Sequence, residues 1–169
     1  MADVPDIPRP SQLWKRLSSE RKLQAAEAFW RDDNAAAEHG EAIATIAQRL
    51  KFRIKSVVAL PVEKKARHLA SMPAISELVA ARLLVSYHLA AQRPMMGAFL
   101  DALDIKHENG LIEDDDMPAP PPEKLQEAAR TMVSTFPADD VALYFSTLIW
   151  QDPDTWGALQ ETPESRLAS

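Results

Sequence analysis

Apolar residues recur at intervals of three and four along most of this chain, and prolines divide the pattern into segments. The pattern is clearest at Ile43, Ile46, Ala47, Leu50, Ile54, Val57 and Val58. Side chains with this spacing lie on one face of an α-helix. Pro61 follows, and proline ends or breaks a helix because it lacks an amide donor and clashes with the preceding turn. The spacing predicts a helix from about residue 35 toward Pro61, with this stripe buried.

Glycine is scarce, which favours helices over sheets with tight turns. The 169 residues include only four glycines, whereas alanine is abundant. We therefore predict an all-α fold, a compact multi-helix bundle of about seven or eight helices. Asn109-Gly110 is the exception, because this pair suits a two-residue type I′ turn. We expect a short irregular or β-hairpin insertion near residues 104–121.

Helix-start signals and prolines also predict how the chain is divided. Ser18, Pro122 and Asp152-Pro153 are typical of the first residues of helices. The predicted segments are an extended N-terminal arm (1–10), a main helical bundle (11–104), a hairpin and acidic proline-rich connection (105–121), a C-terminal helical pair packed on the bundle (122–160) and a loose tail (161–169).

Charge is strongly segregated along the chain. Residues 49–68 carry a net charge of +6, although the whole chain is net −6. Residues 1–48 sum to −2 and residues 69–169 sum to −10. Complementary charged patches steer the association of proteins. The basic window therefore predicts contact with an acidic protein partner or with the acidic half of a second copy, as in a homodimer.

The candidate partner-binding residues lie in this basic window. They are Arg49, Lys51, Phe52, Arg53, Lys55, Lys64, Lys65 and Arg67. On the predicted helix Phe52 lies between the charges, roughly opposite the apolar stripe. An exposed Phe52 would indicate a binding surface, whereas a buried one would indicate a second layer of the bundle, with the cationic stems covering apolar surface.

Nucleic acid is the less favoured partner of the basic window. The cations of the window could contact the phosphates of a nucleic acid, and the Phe52 ring could stack on a base. However, the sequence pI near 5.2 argues against a dedicated nucleic-acid binder. A helix-turn-helix over residues 62–92 is also disfavoured, because its second helix is too apolar to read bases. Weak nucleic-acid binding stays as a third hypothesis.

Several other classes are disfavoured by what the sequence lacks. The chain has no cysteine, which excludes disulfides, cysteine-ligated metals and a cysteine nucleophile. The first residues show no signal-peptide pattern, and no apolar run has the length of a membrane helix. We expect a cytoplasmic protein with no membrane partner, no cofactor and no catalytic residues.

Arg82 is the strongest candidate for a ligand site. It falls within the apolar stripe of a helix predicted over residues 74–92, and a buried guanidinium requires a partner. Arg82 therefore pairs with an internal carboxylate such as Glu77, Asp101 or Asp104, or lies at the edge of the stripe with its guanidinium in water, or binds an anion. The last alternative predicts an enzyme or small-ligand sensor with a pocket around Arg82 and Arg93, and with Tyr87 and His88 near its rim.

A metal site is the weakest of these hypotheses. The acidic run 114–116, with His107 and Glu108 nearby, has oxygen and imidazole donors that suit a divalent cation. Its spacing matches neither a calcium loop nor a zinc-protease helix. We therefore predict no metal. The leading hypothesis is a non-enzymatic interaction or scaffold protein that uses the basic window.

Overall fold

The computed structural model describes residues 8–113 and 117–162, excluding the side chain at position 161. These described residues form ten α-helices: α1 (Pro10–Arg16), α2 (Ser19–Arg31), α3 (Ala36–Leu50), α4 (Ile54–Val58), α5 (Val62–Ala70), α6 (Glu77–Ala91), α7 (Arg93–Ala102), α8 (Pro122–Thr135), α9 (Ala138–Gln151) and α10 (Pro153–Trp156). Short 3-10 helices span Asp33–Ala35 and Gly157–Glu161. The predicted all-α class is confirmed.

Local signals explain most of the helix ends. The Ser18 hydroxyl caps α2 by accepting a hydrogen bond from the amide of Arg21 at 3.2 Å. Pro122 and Pro153 are the first residues of α8 and α10, where a missing amide donor costs nothing. The Asp152 carboxylate caps α10 through the amide of Thr155. These starts lie where the sequence predicted them.

The chain forms two units, of which the first is Arg9–Ala90. Within it α2 packs mainly on α5, and α3 contacts α4 and α5. Phe29 of α2, Ile46 of α3 and Leu69 of α5 are fully buried or nearly so. Burial of such apolar side chains is the main favourable term in folding. This packing places the basic window beside the buried core of the unit.

The second unit begins at Ala91 and contains α7 to α10. Its core is aromatic, with the Phe99 ring centroid 4.9 Å from that of Phe145 and 5.8 Å from that of Trp156. Such ring pairs stabilise a core beyond their area burial. The predicted bundle ended at residue 104, but the grouping divides the chain between residues 90 and 91. Helix α7 therefore belongs with the C-terminal helices.

The predicted hairpin is confirmed at β1 (His107–Glu108) and β2 (Leu111–Ile112), which pair antiparallel. Asn109 and Gly110 both have positive φ, 52° and 89°, as a type I′ turn requires. A Cβ at Gly110 would lie 2.9 Å from Cβ of Met96. Glycine is therefore needed both for the turn and for the close approach of the hairpin to α7.

Candidate functional site

The basic window does not continue α3 as one helix. Helix α3 ends at Leu50, and Lys51 adopts the left-handed conformation with φ 58° and ψ 37°. Two amides, those of Lys51 and Phe52, then donate to the carbonyl of Ala47. This is the geometry in which a helix closes its last turn. Arg53 is extended, and the five-residue helix α4 follows.

This break exposes three large apolar side chains. Phe52 is 47% exposed, Ile54 59% and Val58 52%, whereas Val57 is fully buried. The prediction that Ile54 and Val58 extend the buried stripe of α3 is therefore wrong. The turn at Lys51 changes the helical register, so that only Val57 of α4 reaches the core. The exposed Phe52 fits the binding-surface interpretation rather than the second-layer one.

Cations alternate with these apolar residues. Lys51, Arg53 and Lys55 are exposed, and they make no ion pair to another residue that the structure describes. We call Lys51, Phe52, Arg53, Ile54, Lys55 and Val58 together the apolar–basic surface. It combines exposed apolar area with exposed positive charge, the two features that favour binding of an acidic partner with apolar side chains of its own.

The other candidate cations have different environments. Arg49 donates from Nη1 to the carbonyl of Ser71 at 3.1 Å, so it contacts the C-terminal end of α5. Lys65 lies over the Trp30 ring, with Nζ 5.0 Å from the ring centroid, a cation–π contact. Lys64 and Arg67 are exposed on α5. The structure therefore assigns Arg49 and Lys65 roles within the fold, and it leaves the other cations at the surface.

Arg82 contacts a carboxylate. Its Nη2 donates to Oδ2 of Asp32 at 2.7 Å, and the hydroxyl of Ser86 donates to the same oxygen at 2.9 Å. None of the three carboxylates proposed from the sequence is the partner. The separation of 50 residues between Arg82 and Asp32 explains why no local pattern indicated this pair.

The three rejected carboxylates have partners of their own. Glu77 accepts hydrogen bonds from the amide and hydroxyl of Ser11. Asp101 accepts one from His107 at 2.7 Å, and Asp104 forms an ion pair with Lys124 at 3.2 Å. These contacts tie helices and loops together inside each unit.

The remaining residues of the predicted ligand pocket also have internal contacts. Tyr87 and His88 are both buried, and the His88 Nδ1 lies 2.7 Å from the carbonyl oxygen of Leu84. Arg93 donates from Nη1 to the carbonyl of Asn109 at 2.9 Å. Arg82 and Arg93 each form these hydrogen bonds within their own unit.

His107 forms a contact that sequence reasoning missed. Its Nε2–H donates to Asp101, and its Nδ1 accepts from the amide of Gly110 at 3.0 Å. The Nδ1 contact therefore holds the hairpin turn, and the Nε2 contact links the hairpin to α7. An adjacent depression of about 410 Å³ is lined by Asp101, Asp104, Ile105, Lys106, His107 and Glu113. Because the Nδ1 lone pair is already engaged, this histidine is not placed to act as a general base.

Metal binding finds no support in the part of the chain that the structure describes. There, no group of three or more histidine or acidic side chains is arranged to hold a metal ion. The acidic run 114–116, the centre of the metal hypothesis, lies outside the described residues.

Comparisons with protein-family models, with curated proteins and with solved structures find no match for this chain. Among the helices of the described residues, none is long and apolar enough to cross a membrane. Any functional assignment must therefore be argued from the surface chemistry itself.

Proposed function

We propose that this protein is a non-enzymatic interaction protein that binds an acidic protein partner through the apolar–basic surface. The observation that supports this is the exposure of Phe52, Ile54 and Val58 among exposed cations that form no ion pair with any residue that the structure describes. A large aromatic side chain that is half exposed on a rigid turn is typical of an interface anchor. The surrounding cations would select an acidic partner and increase its rate of association.

The structure of the frame fits this role. The buried Val57 and the turn at Lys51 fix α4 on the frame of the Arg9–Ala90 unit. A surface that is ordered before binding loses less conformational entropy on association. Nucleic acid is the weaker alternative, since the phosphate backbone would use the cations but leave Ile54 and Val58 without an apolar contact.

A labelled acidic peptide that alternates glutamate with leucine and phenylalanine tests the proposal on the full chain. We expect it to bind at low salt, and a polyglutamate peptide of equal charge to bind more weakly because it lacks apolar anchors. Phe52→Ala should weaken binding by about tenfold or more, as at other aromatic anchors. Leu78→Ala is the matched control, because Leu78 is 54% exposed but lies on α6.

Fluorescence anisotropy measures both peptides, alongside a labelled single-stranded DNA oligonucleotide. Absence of peptide binding by a monomeric chain at low salt contradicts the proposal. So does an equal effect of Phe52→Ala and Leu78→Ala, or a preference for the oligonucleotide over the acidic peptide.

A further inference from the structure

The second unit carries an exposed aromatic residue in acidic surroundings. Trp150, near the end of α9, is 39% exposed, whereas the other three tryptophans of the chain are buried. Gln151, Asp152 and Asp154 follow it and are exposed. Between Arg130 and Arg166 the sequence contains no lysine, arginine or histidine. We call Trp150, Gln151, Asp152 and Asp154 the acidic edge.

We propose that the partner of the apolar–basic surface is a second copy of this chain, which docks there through its acidic edge. This inference rests on the proposed function and names its partner. Trp150 of one copy would cover Phe52, Ile54 and Val58 of the other. Asp152 and Asp154 would then face Arg53 and Lys55.

Charge complementarity is the first argument for a second copy. The Arg9–Ala90 unit has fourteen basic and eight acidic residues, a net charge of +6, and the rest of the chain carries −12. Each copy therefore offers one surface of each sign, and each surface has its own exposed apolar anchor. Opposite charge steers the two surfaces together, while burial of the aromatic and aliphatic side chains supplies affinity.

An anionic lipid surface accounts for fewer of these features than a second copy does. Cations around exposed apolar side chains also suit such a surface. However, the −12 part of the same chain would be repelled by it, and the exposed Trp150 would have no role. A second copy accounts for both exposed apolar groups and both charge signs at once.

Sedimentation velocity over a range of protein concentrations at low salt measures the association directly. We expect the weight-average sedimentation coefficient to rise with protein concentration. Phe52→Ala and Trp150→Ala should each weaken association by about tenfold or more. Leu78→Ala should leave it unchanged. Because Trp150 is the exposed tryptophan, its quenching by acrylamide should also fall as the protein associates.

A charge exchange identifies the two surfaces. Arg53→Glu with Lys55→Glu makes the first surface net acidic, and Gln151→Lys with Asp154→Lys makes the edge net basic. The second pair spares Asp152, which caps α10. Each double variant alone should lose association, and an equimolar mixture of the two should regain it. Lys15→Glu with Lys22→Glu reverses two cations outside the surface and should behave as wild type.

The outcomes separate this inference from the proposed function. A wild-type chain that stays monomeric but binds the acidic peptide overturns the second-copy inference and leaves the function standing. Failure of both assays overturns both. Association that the charge exchange does not affect, or Phe52-dependent binding to phosphatidylserine vesicles by a monomeric chain, also overturns the inference.

Discussion

Asp32 shows how one side chain joins two distant parts of the chain, the turn after α2 and the helix α6. It accepts hydrogen bonds from the amide of Asn34 at 3.0 Å, from Arg82 at 2.7 Å and from Ser86 at 2.9 Å. Burial is the largest single effect on its pKa and acts to raise it, but the hydrogen bonds together outweigh burial. The net result is a pKa below the usual value of 3.8. Asp32 is therefore ionised and structural, and Arg82 is its counterion.

This geometry predicts an acid-sensitive contribution to stability. Because the folded pKa is lowered, the contribution is present above the unfolded pKa and is lost as the pH falls below about 4, through the folded value. Asp32→Asn should lower the free energy of unfolding at pH 7 by about 2 kcal/mol. As the pH falls, the free energy of unfolding should also decrease less in this variant than in the wild type. Urea unfolding between pH 7 and pH 3 measures both effects.

The neighbouring Asp33→Asn is the control, because Asp33 is exposed. If the two variants unfold at the same urea concentration across this pH range, the role assigned to Asp32 is wrong.

At the scale of the element, the break between α3 and α4 determines which apolar residues are buried. The alternating segment Lys51-Phe52-Arg53-Ile54-Lys55 does not fit the spacing of three and four that a continuous helix requires. Pro61 was predicted to end this helix, but α3 already ends at Leu50, and Pro61 instead directly precedes the first residue of α5. Because the turn at Lys51 shifts the register, apolar residues that a continuous helix would bury become a surface.

Val57 and Val58 give a direct test of this break. Both would belong to the buried stripe of a continuous helix, but Val57 is fully buried and Val58 is 52% exposed. Val57→Ala should therefore lower the free energy of unfolding by about 2 kcal/mol, and Val58→Ala should change it by less than about 0.5 kcal/mol. Chemical unfolding compares the two variants, and equal losses would favour the continuous helix.

At the scale of the whole molecule, charge follows the division into units. The basic window accounts for the whole excess of +6 in the Arg9–Ala90 unit, since the other charges of that unit cancel. This segregation was visible in the sequence as a window. Only the grouping of the helices showed that the boundary lies between residues 90 and 91.

Self-association that depends on this segregation should respond to salt. Raising the NaCl concentration from about 20 mM to about 500 mM shortens the screening length from roughly 20 Å to roughly 4 Å. We expect the association constant from sedimentation to fall by at least about tenfold over that range, mainly because steering and charge pairing weaken. Association that stays constant or strengthens with salt would instead indicate a purely apolar contact.

The sequence by itself determined the all-α class, the starts of α2, α8 and α10, and the hairpin turn at Asn109-Gly110. These features depend on capping, proline geometry and turn conformation, which act over a few neighbouring residues and so can be read along the chain. Only the tertiary structure decided that Arg82 pairs with Asp32 and that Ile54 and Val58 face outward. Those outcomes depend on which distant segments pack together and on the break after α3, which changes the face of the helix to which the following residues belong.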